Sequence, residues 1–173
     1  MIIKLEKRND FGSLINYCAR PKPKEESIFL DTNLGARNTA AQLTKQFEGL
    51  RKERIDVDKP VWHNILSPSP KDRFLDNEEW FSIIQFYLLG MEVAVKNYPY
   101  AAYVHLSENR QHAHLVISRI GFDKKIFVPR NDYWKSIAVA ARIEEKFNLD
   151  PACIKYLKKR GKQKHLSIEN KEA

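Results

Sequence analysis

The chain has 173 residues, enough for one domain with a real core, and its 43% hydrophobic and 30% charged residues place it among soluble globular proteins rather than fibrous or disordered ones. The net charge of +8 is concentrated at the two ends: residues 151–173 carry seven Lys/Arg against two Glu, and residues 1–25 carry six Lys/Arg against three acids. Such ends point to a polyanionic partner, most simply nucleic acid. The amino-terminal run MIIKLEKRND is too polar for a secretory signal, no segment approaches the length of a membrane span, and the two cysteines, Cys18 and Cys153, form no ligand pattern and suit a reducing cytoplasm.

In chain order, Met1–Lys7 alternates weakly and reads as a short strand. Asp10 can cap a helix through Leu14, Ile15 and Tyr17 that stops before Pro21. A basic, proline-containing loop carries Arg20, Lys22 and Lys24 and leads to a strand over Ser27–Thr32. Asn38 or Thr39 starts the next helix, with Gln42 at capping-box spacing from Thr39 and Leu43, Phe47 and Leu50 at helical spacing. Pro60–Ser67 is a strand with Val61, His63 and Ile65 on one face, ended by Pro68 and Pro70. Asp76 caps a long helix whose buried stripe holds Trp80, Ile83, Ile84, Tyr87, Leu88 and Met91. Tyr100–Ser107 and His112–Ile120 form a hairpin, Lys125–Val128 a short strand, and Asn131 or Asp132 caps a last helix through Ile137, Ala141, Ile143 and Phe147. A further short helix over Ala152–Lys159 precedes a basic tail. The pattern predicts an α+β fold, a two-layer sandwich of a central antiparallel sheet with helices mainly on one face and the other face open to a substrate.

The chemistry concentrates in the hairpin. Three of the five histidines, His105, His112 and His114, fall within ten residues. His112 and His114 share a strand face, because side chains at i and i+2 point the same way, while Leu115 and Ile117 face a core. Folding Tyr100–Ser107 back antiparallel brings His105 beside His112. Converging imidazoles suit a catalytic divalent metal. Two histidines flanking one residue are, taken alone, usually unrelated; the third at hairpin distance makes the cluster worth a hypothesis. His63 reads either as a group near that site or as a satisfied strand histidine, and Arg119 either as a DNA contact or as a brace of the sheet. Among the aromatics, Tyr98 and Tyr100 stand out as candidates for stacking on bases, because their segment is polar.

With these pieces in order, the chain resembles the relaxase domain of mobilisation proteins, the MobA-type nickases of the HUH endonuclease superfamily. The resemblance rests on four features over residues 10–150. Gly12-Ser-Leu-Ile-Asn-Tyr17 is similar to the family's tyrosine helix, and Pro60-Val-Trp-His63-Asn-Ile-Leu-Ser67 to its histidine-bearing strand. His105, His112 and His114, spaced seven and then two and followed by Arg119, resemble its histidine signature, and Ser136–Phe147 resembles the helix that follows. Two positions depart from the pattern. Ser107 stands where the family often has Asp, and Gln111 where it often has Pro; Glu108 is the nearest substitute for the acid.

The resemblance implies an HUH-type sheet and a site- and strand-specific DNA nickase acting at a transfer origin. Tyr17 would attack the phosphodiester to give a 5′-phosphotyrosine intermediate, with Glu108 as the acid and His105, His112 and His114 holding Mn²⁺ or Mg²⁺, Zn²⁺ also being suited. Arg20, Lys22, Lys24, His63 and Arg119 would contact DNA, the first three also favouring the phenolate. It implies a bacterial, cytoplasmic protein that works on single-stranded origin DNA with accessory relaxosome proteins. It implies residues 1–150 as the relaxase domain and 151–173 as a basic extension towards further sequence. A rolling-circle replication initiator would share the histidines but use a later tyrosine, Tyr133 or Tyr156. A non-catalytic DNA-binding module of the same fold and a metal-dependent hydrolase of small substrates are the remaining readings; the lack of a Gly-rich phosphate loop and the basic charge count against the last.

Overall fold

The computed structural model describes residues 1–20, 22–35, 39–153 and 155. Its elements are β1 (Ile2–Arg8), α1 (Phe11–Ala19), β2 (Glu26–Thr32), α2 (Ala40–Glu53), β3 (Val61–Ser67), α3 (Asn77–Gly90), β4 (Tyr100–Ser107), β5 (Arg110–Ser118) and α4 (Asp132–Lys146). The strands form a five-stranded sheet in the order β1-β3-β5-β4-β2, and each neighbouring pair is antiparallel. The expected α+β architecture on an antiparallel sheet is what the chain adopts.

Local chemistry sets the element boundaries. Asp10 caps α1 by accepting from the backbone N–H groups of Gly12 and Ser13, each at 2.9 Å. Thr39 with Gln42 and Asp76 with Glu79 complete capping boxes that start α2 and α3. The expectation for α4 differs in detail: Asn131 takes a left-handed conformation and makes no side-chain cap, and Asp132 instead accepts from the Tyr133 N–H at 2.9 Å. The strand expected at Lys125–Val128 shrinks to one bridge between Ile120 and Ile126. The β4–β5 loop is only two residues, Glu108 and Asn109, so β5 begins at Arg110 rather than His112. Asn38 and most of the helix expected over Ala152–Lys159 lie outside the described residues; Cys153 packs into the core, its N–H donating to the buried Glu144 carboxylate at 2.9 Å.

One expectation about the layers is corrected. Helices cover both faces of the sheet, not mainly one. On the first face, Trp62, Val104, Leu115 and Ile117 pack under α3 and α4, which contribute Trp80, Ile84, Tyr87 and Ile143. On the second, Val61, Ala101, Tyr103 and Val116 pack under α1 and α2, which contribute Phe11, Leu14, Ile15, Cys18, Leu43 and Phe47. The second face is also the histidine face, since His63, His105, His112 and His114 share the parity of those sheet residues. The apolar stripe of α1 and α2 needs a patch to bury against, and one end of this face supplies it; the histidines occupy the rest.

The Phe47 ring stacks on Phe11 with centroids 4.9 Å apart and is fully buried, so α2 holds α1 on the sheet. Phe47→Ala should cost about 3–5 kcal/mol in denaturant unfolding, whereas Ile55→Ala, at an exposed position, should stay within about 0.5 kcal/mol of the parent. Equal midpoints for the two variants would show that α2 does not anchor α1.

Candidate active site and metal centre

Register brings the histidines together. His105 on β4 lies directly opposite His112 on β5. His114 sits between Ile65 of β3 and Tyr103 of β4, and is thus the diagonal neighbour of His63, which pairs with Val116. Ring centroids are 5.2 Å apart for His105–His112, 4.4 Å for His105–His114 and 4.8 Å for His112–His114. One nitrogen from each of these three rings lies within 4.8 Å of the others, a spacing that one cation can draw together.

Hydrogen bonds decide which nitrogens are available. The His105 Nε2–H donates to the Cys18 carbonyl at 2.7 Å, and because a carbonyl only accepts, the Nδ1 lone pair is left over. That Nδ1 is buried without a hydrogen-bond partner, and so is Nε2 of His114. Buried orphan nitrogens are costly unless something binds them, and two that converge on a third imidazole fit a divalent ion. His114 uses its other nitrogen, Nδ1, against Nε2 of His63 at 2.9 Å. If Nε2 of His114 is to offer a lone pair, its proton sits on Nδ1 and is donated to His63. His63 then carries its own proton on Nδ1, facing the Glu6 carboxylate at 3.6 Å. Lys4 and Arg8 bond that carboxylate and hold Glu6 down to about 2, so it stays charged.

Three of the imidazoles, those of His63, His112 and His114, are held towards the neutral form. Burial first, then the neighbouring histidines, lowers His114 to about 2, and burial, then Arg8, lowers His63 to about 4. Burial and His105 lower His112 in the same direction. Neutral rings have lone pairs to give at neutral pH, which is what metal ligation requires. Cys18, His63 and His114 form a second group of possible ligands, but burial pushes the Cys18 thiol up to about 12, so it is a poor source of thiolate.

Tyr17 stands at the last turn of α1, 41% exposed, with the edge of its ring against His105 (5.9 Å between centroids) and His114 (5.6 Å). The helix is tied to the site by its own backbone: the Cys18 carbonyl that takes the His105 proton also accepts from the Ser27 hydroxyl at 2.6 Å. Burial, then Glu25, raises the Tyr17 pKa above its ordinary value, and Arg8 and Lys4 oppose this. The cations that act on the phenol are therefore those of β1, not Arg20, Lys22 and Lys24, which are exposed on the α1–β2 loop.

A cavity of about 680 Å³ opens over Tyr17, His112 and His114, with Glu25 and Glu108 in its walls. Glu108 is at the hairpin tip; the carboxylates that face imidazole nitrogens are Glu25, 4.0 Å from His105 Nδ1, and Glu6. Sequence reasoning missed both, because nothing local marks them. Arg119 donates to the carbonyls of Asp58, Lys59 and Phe127, the bonding of a brace. Tyr133 lines a different cavity, along β1, and Tyr156 lies outside the described residues. Tyr100 is buried, with its hydroxyl bonded to Asp31 and Gln85, and Tyr98 packs on Phe127, so neither is placed for bases.

The structure thus sets a convergent histidine cluster that could hold a metal ion beside a tyrosine, on an antiparallel sheet. The relaxase family described as MobA/VirD2-like, nuclease domain, matches residues 17–149, a span that begins at the tyrosine and includes all four site histidines. The chain belongs to this family. Its fold is similar to a solved structure described as "Molecular Basis of Vancomycin Resistance Transfer in Staphylococcus aureus", with a TM-score of 0.53 and 8% identity over 86% of this chain and 94% of that one. No curated protein sequence matches.

His63 is positioned to fix the tautomer of His114. His63→Phe keeps a flat ring there but removes the acceptor, and should weaken Mn²⁺ binding by about 10–100-fold in calorimetry with the melting curve little changed. Unaltered Mn²⁺ affinity would remove His63 from the site.

Proposed function

We propose that the chain is a metal-dependent, site- and strand-specific DNA nickase that forms a 5′-phosphotyrosine intermediate at a transfer origin during plasmid mobilisation. The observation that carries this reading is the contact of the Tyr17 ring with His105 and His114, each of which has a buried second nitrogen without a hydrogen-bond partner. Family membership supports the nuclease activity in its broad form.

The residues would divide the work as follows. His105, His112 and His114 hold the divalent ion, Mn²⁺ or Mg²⁺ with Zn²⁺ also suited; when bound, the ion neutralises charge on the non-bridging phosphate oxygens and favours the phenolate. The Tyr17 Oη attacks phosphorus, a tyrosine O–P bond forms, the bond to the 3′ oxygen breaks, and the leaving 3′ oxygen takes up a proton. The proton lost by Tyr17 passes to a carboxylate, for which Glu25 is better placed than Glu108, since it faces His105 and acts on the phenol. The phosphotyrosine ester retains the energy of the phosphodiester, so a 3′ hydroxyl can reverse the step and reseal the strand. Basic ends suit binding to single-stranded origin DNA alongside accessory relaxosome proteins, in a bacterial cytoplasm. No helix of the described residues is long and apolar enough to cross a membrane.

The test is a denaturing gel of the chain with single-stranded origin DNA. With Mn²⁺ or Mg²⁺ a covalent protein–DNA species is expected; EDTA should abolish it, and so should Tyr17→Phe. An adduct that survives in Tyr17→Phe but disappears in Tyr133→Phe or Tyr156→Phe would establish the replication-initiator arrangement instead. Tight, salt-sensitive binding with no adduct under any metal would establish a DNA-binding module without nicking.

A further inference from the structure

The site cavity has a wall that the proposed chemistry does not use. It is the segment between β3 and α3, which carries Arg73-Phe74-Leu75 just before the Asp76 cap. Phe74 lines the same cavity as Tyr17, His112 and His114 and is 51% exposed. A single exposed aromatic is ordinary on a protein surface and by itself means little. What sets Phe74 apart is how it is held. The Gln111 side chain, only 8% exposed, bonds the backbone on both sides of it: Gln111 Nε2 donates to the Arg73 carbonyl at 2.6 Å, and the Leu75 N–H donates to Gln111 Oε1 at 2.9 Å.

This clamp ties Phe74 to the residue immediately before His112. The segment is pinned again upstream, where the Asp72 carboxylate accepts from the N–H groups of Ser69 (2.9 Å) and Asp150 (2.6 Å). The Arg73 guanidinium pairs with Glu79 and also reaches the Phe74 backbone carbonyl at 3.5 Å. The ring is thus presented on a fixed backbone, beside the proposed nucleophile, with no charged partner of its own. Gln111 is also the position at which the sequence departs from the proline often found before the histidine pair. A proline has no side-chain amide and could not make this clamp.

We propose that Phe74 is a stacking platform for one unpaired nucleobase next to the scissile phosphate, with Gln111 as the residue that positions it. The inference rests on the proposed action on single-stranded DNA and adds a base subsite to it. Asp72, Glu108 and Arg110 share the wall with Phe74, so a phosphate has one cation to meet there, Arg110, and the exposed ring itself suits a base. Aromatic stacking accepts any base, since each has a π-face, so the subsite contributes affinity and placement of the strand rather than sequence reading.

The experiment compares two probes on the full chain with Mn²⁺ at one fixed ionic strength: oligo(dT), and a strand of the same length made of abasic deoxyribose phosphate. Both present phosphates, and only the first presents bases. Phe74→Ala should weaken oligo(dT) binding about tenfold and leave the abasic strand unchanged, and Phe74→Trp should bind oligo(dT) at least as well as the parent. An equal loss on both probes would show that Phe74 supports the loop and does not stack on a base; no loss on either would remove it from the interface. These outcomes do not depend on nicking: a base-dependent loss with no covalent adduct on origin DNA keeps the subsite and rejects the nickase, and an adduct on origin DNA without a base-dependent loss does the reverse.

Discussion

The site depends on one constraint, the register of β4 against β5. Side chains alternate strictly along a strand, so a slip of one residue would turn His112 and His114 into the α3/α4 core and bring Ala113 and Leu115 out in their place. The two-residue turn at Glu108 and Asn109 fixes the pairing at its closed end. The apolar alternation fixes it along the rest, since Ala102, Val104, Ala113, Leu115 and Ile117 must all be buried under the same helices. Burial of one face thereby positions the catalytic candidates on the other, and β3 repeats the device by placing Trp62 in the core and His63 in the site.

The histidine face serves two purposes that compete for area. Its Val61–Tyr103–Val116 end is apolar and seats α1 and α2. Its other end carries the imidazoles. Tyr17 is at the boundary, on the last turn of a helix anchored by Phe11, Leu14, Ile15 and Cys18. The bond from His105 to the Cys18 carbonyl crosses this boundary, so a shift of α1 on its apolar seat would alter both the tyrosine and the tautomer of a metal-ligand candidate. Packing and site chemistry are mechanically linked at one peptide group.

What could be read from the sequence was what is local or periodic. Three caps, at Asp10, Thr39 and Asp76, follow from their own few residues, and the histidine face follows from a period of two. Pairings between distant segments were not readable. Glu6 meets His63 only because β1 lies beside β3, and Glu25 meets His105 only because the α1–β2 connection returns alongside β4. Glu108 drew attention because it is near in sequence, yet the hairpin carries it to a tip. The coverage of both faces was missed for a related reason: a strand residue such as Val61 or Val116 shows that it wants burial but not which helix supplies it. Gln111 read as a departure from a family pattern, and its clamp on Phe74 required knowing that a segment 36 residues away runs past it.

The same long-range pairings account for the electrostatics of the cluster. Four imidazoles packed side by side would repel one another if protonated, and burial removes the water that would screen them. The chain's answer is a line of polarised contacts leading outwards, from His114 to His63 to Glu6 and on to Lys4 and Arg8 at the surface. The carboxylate at its outer end favours a proton on the nitrogen of His63 that faces it, which favours an acceptor nitrogen towards His114, which leaves the inner nitrogen of His114 as a lone pair. Negative charge two residues removed from the site thus increases the donor strength of a ring that never touches it.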